Sequence, residues 1–237
     1  MERMLTFLSF GPDGWGDEIA AGVLITVCLA LATLPFGLLL GFAISLAKLS
    51  GDRFLKLSAD IFTTIFRGLP ELLTLFLVYY GAQIALQQFL RLIGQTGGIE
   101  INAFVAGMAA LGVVFAAYAS EVFVSAFRAI PNGQYEGAAA LGFNRRHTMR
   151  LVILPQLIRV ALPGLSNLWL ILLKDTSLVS VIGLADIIRQ TGIAARVSKE
   201  TFLFYALACL IYLVLAILSS FVFQRIERRV ETPGMTR

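Results

Sequence analysis

Four stretches of the sequence, residues 19–47, 72–90, 101–120 and 201–224, contain no Asp, Glu, Lys or Arg. A helix rises about 1.5 Å per residue, so about 20 apolar residues cross the roughly 30 Å of bilayer hydrocarbon. No water is available there to satisfy backbone N–H and C=O groups, and a continuous apolar run of this length meets that demand as a helix. The predicted class is therefore all-α integral membrane. Composition agrees: 58% of the 237 residues are hydrophobic and 14% charged, against about 45–50% and about 25% in soluble domains. Length alone would allow one or two soluble domains; this composition makes it one membrane domain.

A fifth span is shorter. Residues 160–173 carry no charge, and extending the stretch back to Leu151 gives a spanning length at the cost of including Pro155 and Arg159. Arg159 then snorkels to an interface. Residues 176–185 are apolar but too short to cross alone, which predicts a re-entrant segment or one buried in protein. A helix beginning near Leu57 would carry the second span further back. Cytoplasmic loops are enriched in Lys and Arg. Twelve of the nineteen bases (Lys48, Arg53, Lys56, Arg128, Arg145, Arg146, Arg150, Arg159, Arg225, Arg228, Arg229 and Arg237) fall on one side. Arg3, Arg91, Lys174, Arg189, Arg196 and Lys199 fall on the other, with Arg67 inside a span. This predicts the N-terminus outside and the C-terminus inside, which requires an odd number of spans. Five satisfies it. The expected division is a periplasmic segment 1–18, a membrane domain 19–224 with a cytoplasmic loop at about 128–150, and a cytoplasmic tail 225–237.

Several chemistries are excluded. His147 is the single histidine, and Cys28 and Cys209 lie inside apolar runs, so neither a metal cluster nor a catalytic dyad is expected, and no cofactor. The net charge of +4 reads as cytoplasmic anchoring and not as nucleic-acid binding. Arg3 is the one early base, and Asp13, Asp17 and Glu18 precede the first apolar run, so no cleaved signal is expected. Gly37 and Gly41 give the first span a small-residue face suited to close helix packing.

The loop after the third span has a local grammar of its own. Pro131-Asn132-Gly133 is a turn signal. Helix formers follow, with Glu136 placed in the first turn where the helix dipole favours an anion, and Gly142 placed where a left-handed residue ends a helix. Such a two-turn helix is marginal alone in water. Two readings fit it: a helix ordered by a partner's groove, and an ordinary connector between spans.

These residues resemble a known family. Glu136-x-Ala138-x-x-x-Gly142, nine further residues, then Val152-x-Leu154-Pro155 is similar in type and spacing to the coupling-loop motif of ABC-importer permeases. Gly137 stands where that motif usually has Ala, and Val152 where it has Ile. Arg67-Gly68-Leu69-Pro70-Glu71-Leu72-Leu73, Tyr118-Ala119-Ser120-Glu121-Val122-Phe123, Ile130-Pro131-Asn132-Gly133-Gln134, Leu154-Pro155-Gln156 and Lys174-Asp175-Thr176-Ser177-Leu178-Val179-Ser180 resemble signatures of its polar-amino-acid branch. The resemblance runs from about residue 20 to 229, and the layout is most similar to the Q-type subunits of basic-amino-acid and opine permeases.

The resemblance implies a type I importer permease in a bacterial inner membrane. It implies an ATPase dimer, a second permease subunit (a sister chain), a periplasmic solute-binding protein and the lipid bilayer as partners. Glu136, Gly137, Ala138, Gly142 and Phe143, with Arg145 and Arg146, would form the helix that engages the ATPase. The chain has no Gly-x-x-x-x-Gly-Lys-Ser/Thr phosphate loop, so ATP would be hydrolysed elsewhere. Charged groups at membrane depth normally face a bundle interior or cavity, which marks Arg67, Glu71, Glu121 and Asp175 as candidates for the solute route, with Pro70, which loosens the helix between the first two, and Ser177 beside them. Structural readings stand beside this one. Arg67 and Glu71, four apart, would pair on one helix face, Glu121 would cap the inner interface near Arg128, and Asp175 would sit at the outer interface beside Lys174. Three rival functions remain: a permease for another solute, an ion-coupled secondary transporter, and a membrane enzyme, against which the lack of a polar catalytic cluster argues.

Overall fold

The computed structural model describes residues 7, 9–11, 14–93 and 100–230. Arg3, Asp13 and Arg237, which entered the charge argument, lie outside the described residues. Among the described residues every regular element is helical: α1 (Gly16–Lys48), α2 (Arg53–Gly68), α3 (Glu71–Leu92), α4 (Ala103–Ala129) and α5 (Asn132–Ala140) come first. A single turn Arg145–His147 and a π-helical stretch Thr148–Ile153 lead into α6 (Leu154–Asp175). A 3₁₀ stretch Thr176–Ile182, α7 (Ile187–Ser198) and α8 (Thr201–Val230) complete the chain. Among the described residues five segments are long and apolar enough to cross a membrane: α1, α3, α4, the run Arg145–Ile182, and α8. All five correspond to the expected spans.

The central pair is α1 against α4. The buried stripe of α1 runs through Thr26, Ala30, Thr33, Gly37, Gly41 and Ser45, a spacing of three and four that keeps one face on α4. The glycines set the approach. A Cβ at Gly37 would meet the Phe115 ring at 2.5 Å, and one at Gly41 would meet the Ala116 carbonyl oxygen at 2.9 Å. Polar side chains on this face keep their protons local: Thr26 and Thr33 donate to the carbonyls of Gly22 and Leu29 at 2.9 and 2.7 Å. Phe42 meets Phe123 edge-on at 5.4 Å between ring centres. The core continues through Leu75, Leu157, Trp169 and Leu172. Cys28 and Cys209 are exposed free thiols, which places them on the outside of the bundle.

Two elements depart from expectation. The second span does not reach back towards Leu57; α2 is a separate helix. Asp52 caps it by accepting from the Phe54 and Leu55 N–H groups at 2.8 and 3.2 Å. Its end is set by Pro70, which disfavours helical backbone at the residue before it; Leu69 is extended accordingly (φ −92°, ψ 143°). At 16 residues, α2 is too short to span. Ala59 and Thr63 are its buried residues, and Asp60 and Arg67 reach ion-pair partners on α1 and α4, while Phe54, Leu57, Ile61 and Ile65 are exposed. The other departure is α7, which sequence reasoning missed. Asp186 caps it, accepting from the Arg189 N–H at 2.9 Å. The 3₁₀ stretch before it ends at Gly183 in the left-handed region (φ 98°), so the apolar residues 176–185 become a bend packed in protein.

Candidate functional site

The loop helix α5 starts at Asn132, one residue after Pro131. Glu136 therefore lies in its second turn, not its first as expected. The helix end matches expectation. Gly142 is left-handed (φ 77°), its N–H donates to Ala139 O at 2.9 Å, and the Phe143 N–H donates to Ala138 O at 3.0 Å. These are the paired bonds of a Schellman stop.

Only Ala138 of α5 is buried. Glu136, Gly137, Gly142, Phe143, Arg145 and Arg146 all face outward, and Leu141 is 76% exposed. A Cβ at Gly137 would meet nothing within 4 Å, so the Ala usual in the family motif fits there without rearrangement. Nine residues with one buried side chain cannot hold a helix in place by packing. Two further ties anchor it. Gln156, next to Pro155, donates to Gln134 Oε1 at 3.0 Å and to the Val152 carbonyl at 2.9 Å. Tyr135 is half-buried between two open clefts of about 490 and 380 Å³, one bordered by Leu49 and Arg128, the other by Phe143 and Met149. Asn144 then restarts the chain as a helix by accepting from the His147 N–H at 2.9 Å. Pro155 offers no N–H and crowds the preceding turn, and the wider π-helical turns lie directly before it.

A second constellation lies where α1, α2 and α4 meet. Lys48 Nζ sits 2.6 Å from Glu121 Oε1 and 3.3 Å from Asp60 Oδ1. The Arg67 guanidinium reaches Glu121 at 3.1 Å and lies over the Tyr118 ring at 5.6 Å. One structural reading is corrected here. Arg67 and Glu71 do not share a helix face, because the break at Leu69-Pro70 puts them on different helices. Glu121 is held by Lys48 and Arg67. The cluster is charge-balanced, and the Lys48 side chain is only 10% exposed. Lys48 and Asp60 were not singled out from sequence, since 73 positions separate Lys48 from Glu121 and no local pattern joins them.

Removing one partner of a desolvated pair strands the other, so the singles should cost more than the pair. Lys48→Met and Glu121→Gln alone should each lower the amount of assembled subunit, and the double variant should recover part of it. A coupling of about 0.5–3 kcal/mol is expected, read as melting temperature or surviving protein in detergent. Additive losses would remove the interaction from the account.

The remaining candidates divide. Pro70 is exposed at the break, and Glu71 opens α3. Asp175, at the end of α6, lies within electrostatic reach of Glu71 and of its neighbour Lys174. Asp175 and Tyr118 share the rim of a narrow apolar crevice between α4 and α6. Ser177 is half-buried in the 3₁₀ stretch. Glu71 and Asp175 are thus carboxylates of like charge, with Lys174 acting on Asp175, and Glu121 is already neutralised.

The sequence profile described as "Binding-protein-dependent transport system inner membrane component" matches residues 33–232. The nopaline transport system permease protein NocQ of Agrobacterium fabrum is 42% identical over 94% of this chain and 95% of its own length. The histidine/lysine/arginine/ornithine transport system permease protein HisQ of Escherichia coli is 38% identical over 91% and 94%. Among solved structures, a chain from an amino acid ABC transporter crystallised with histidines superposes with a TM-score of 0.77 at 35% identity, covering 91% of this chain and 95% of that one. A chain of the MetNI methionine ABC transporter in an inward-facing conformation shares the fold at a TM-score of 0.68 and 19% identity.

Proposed function

This chain belongs to the family of binding-protein-dependent transport system inner membrane components, and from that premise we propose how it works as the permease subunit of an ATP-driven importer for polar amino acids or opines. It is a multi-pass protein of the bacterial inner membrane. ATP is hydrolysed on a separate ATPase subunit, and a binding protein supplies the solute. The observation that carries the mechanism is the exposed, Schellman-capped helix α5. Its outward residues Glu136 and Gly137, with Gly142, Phe143, Arg145 and Arg146 just beyond its end, enter a cleft of the ATPase. Closure of the ATPase pushes on α5, and the Gln134–Gln156 tie carries that displacement to α6. The excess of Lys and Arg beside α5 and after α8 supports a cytoplasmic position for this end. Ala138 lies inward and supports the helix.

The pathway faces a second permease, a sister chain, across the exposed apolar surfaces. The preferred solute is cationic. Glu71 and Asp175 lie in each other's field and Lys174 offsets only part of it, so a guanidinium or ammonium group passing between them relieves their repulsion. Arg67, Pro70 and Ser177 border that route, and Glu121 positions Arg67. Arginine-like and opine solutes are the class carried by the relatives named above.

Mild-detergent purification of the tagged chain from its native membrane tests the assembly. An ATPase and a second permease in the eluate support it, and a chain emerging alone would reject it in favour of a secondary transporter. Titrating the co-purified system's binding protein with arginine, histidine, octopine and nopaline then identifies the solute, and binding of only uncharged solutes would favour a permease for another class. Within the chain, Asp175→Asn should slow uptake of a cationic solute by about tenfold, equivalent to about 1.4 kcal/mol, with normal assembly. Unchanged uptake would return Asp175 to an interfacial role.

A further inference from the structure

A fully buried polar cell lies where α1, the 3₁₀ stretch, α7 and α8 meet, at the end of the bundle away from α5. Asp186, Thr26 and Thr176 are each 0% exposed. Asp186 Oδ1 accepts from the Arg189 N–H, while its Oδ2 has no hydrogen-bond partner. The Tyr212 hydroxyl of α8 is also buried without a partner. It faces the Thr26 and Thr176 hydroxyls and the field of the Asp186 carboxylate without a hydrogen bond of acceptable geometry.

The inventory of protons decides what belongs there. Thr26 Oγ1 donates to the Gly22 carbonyl at 2.9 Å and accepts from the Ile187 N–H at 3.3 Å. Thr176 Oγ1 donates to the Leu173 carbonyl at 2.7 Å, so its unused capacity is as an acceptor. The cell therefore holds one unspent donor, the Tyr212 O–H, and at least two unspent acceptors, Asp186 Oδ2 and Thr176 Oγ1. Burial pushes the Asp186 carboxyl up to about 6, against the hydrogen bond it accepts from Arg189; at neutral pH it is still mostly ionised, and a bare carboxylate oxygen in an apolar setting is costly. Backbone approach leaves little room to rearrange, since a Cβ at Gly22 would meet the Asp186 carbonyl oxygen at 2.9 Å.

We propose that this cell is a binding site for one ordered water molecule, which accepts from Tyr212 and donates to Asp186 Oδ2 and Thr176 Oγ1. Three bonds is the usual complement of a buried water. A monovalent cation fits less well, because the Tyr212 proton would still lack an acceptor. The water ties α8 to the α7 cap, two elements that otherwise meet through apolar side chains such as Phe204 and Ala195.

A density map of the importer as purified from its native membrane, at a resolution that shows ordered water, is the test. One peak within about 3.2 Å of both Asp186 Oδ2 and Tyr212 Oη is expected. A direct bond between those atoms, an empty space, or a peak with the shorter contacts of an ion would overturn the proposal. Thermal unfolding of the same preparation gives a second reading. Tyr212→Phe should lower the melting temperature by about 2–4 °C, and exchanging sodium for choline at equal ionic strength should change nothing. An unmoved melting temperature in the variant, or a sodium stabilisation that Asp186→Asn abolishes, would each reject the site.

Discussion

Gly142→Asp is expected to leave the subunit in the membrane at near wild-type amounts while lowering ATP-driven uptake by about tenfold or more, the consequence of about 1.4 kcal/mol lost at the transducing contact. A Cβ at position 142 meets nothing within 4 Å of the chain, so no clash unfolds the bundle. The damage is local. A side chain at φ 77° is strained, by roughly 1–2 kcal/mol, which loosens the two bonds of the Schellman stop. A carboxylate at the negative end of the helix dipole adds repulsion. The end of α5 then frays beside the outward residues that follow it, Gly142 and Phe143. Uptake and ATPase stimulation by the loaded binding protein, measured in proteoliposomes, should fall together. Gly142→Ala keeps the strain and omits the charge, so it should lie between. Normal uptake in Gly142→Asp would mean that α5 is a connector only.

Gly41→Leu should have the opposite profile: loss of the folded subunit itself. The new Cβ would sit 2.9 Å from the Ala116 carbonyl oxygen and 2.9 Å from the Ala119 Cβ, both fixed in the middle of α4. Backbone cannot step aside as a flexible side chain does, so α1 must move away along its whole contact with α4. Overpacking a tight core costs about 1–3 kcal/mol, occasionally more. Here the shift also pulls Lys48, two turns further along α1, from Glu121. Membrane levels should drop severalfold, and the residual protein should melt early in detergent. By contrast Gly137→Leu, where the Cβ has open space, should accumulate normally and fail in coupling. Equal accumulation of Gly41→Leu and wild type would show that α1 and α4 are not packed this closely in the bilayer.

These two glycines mark the division between what was readable beforehand and what was not. The spans were legible because apolar length is a property of contiguous residues and the bilayer imposes it on each segment separately. The α5 stop was legible for the same kind of reason. A left-handed glycine after a run of helix formers is decided within six residues, whatever the rest of the chain does. The small face of α1 was legible as a periodic stripe. Its partner was not, because the stripe says that something comes close and not which helix.

What only the tertiary structure decided is the pairing of charges and the fate of short apolar stretches. From spacing, Arg67 and Glu71 looked like partners. A pre-proline residue forced into extended backbone separated them, and Arg67 found Glu121 across the bundle, together with Lys48 and Asp60. Residues 176–185 could have entered the membrane alone or packed against protein, and α7 carried too mixed a pattern to declare itself. Asp186 caps α7. Its burial among α1, α7 and α8 came from three helices closing over it. Local chemistry fixes helices, their ends and their membrane-crossing length, since each residue there interacts with neighbours four positions away. Which buried charge meets which, and which polar atom is left for water, depends on contacts between residues as far apart as Thr26 and Ile187, and those exist only once the helices have packed.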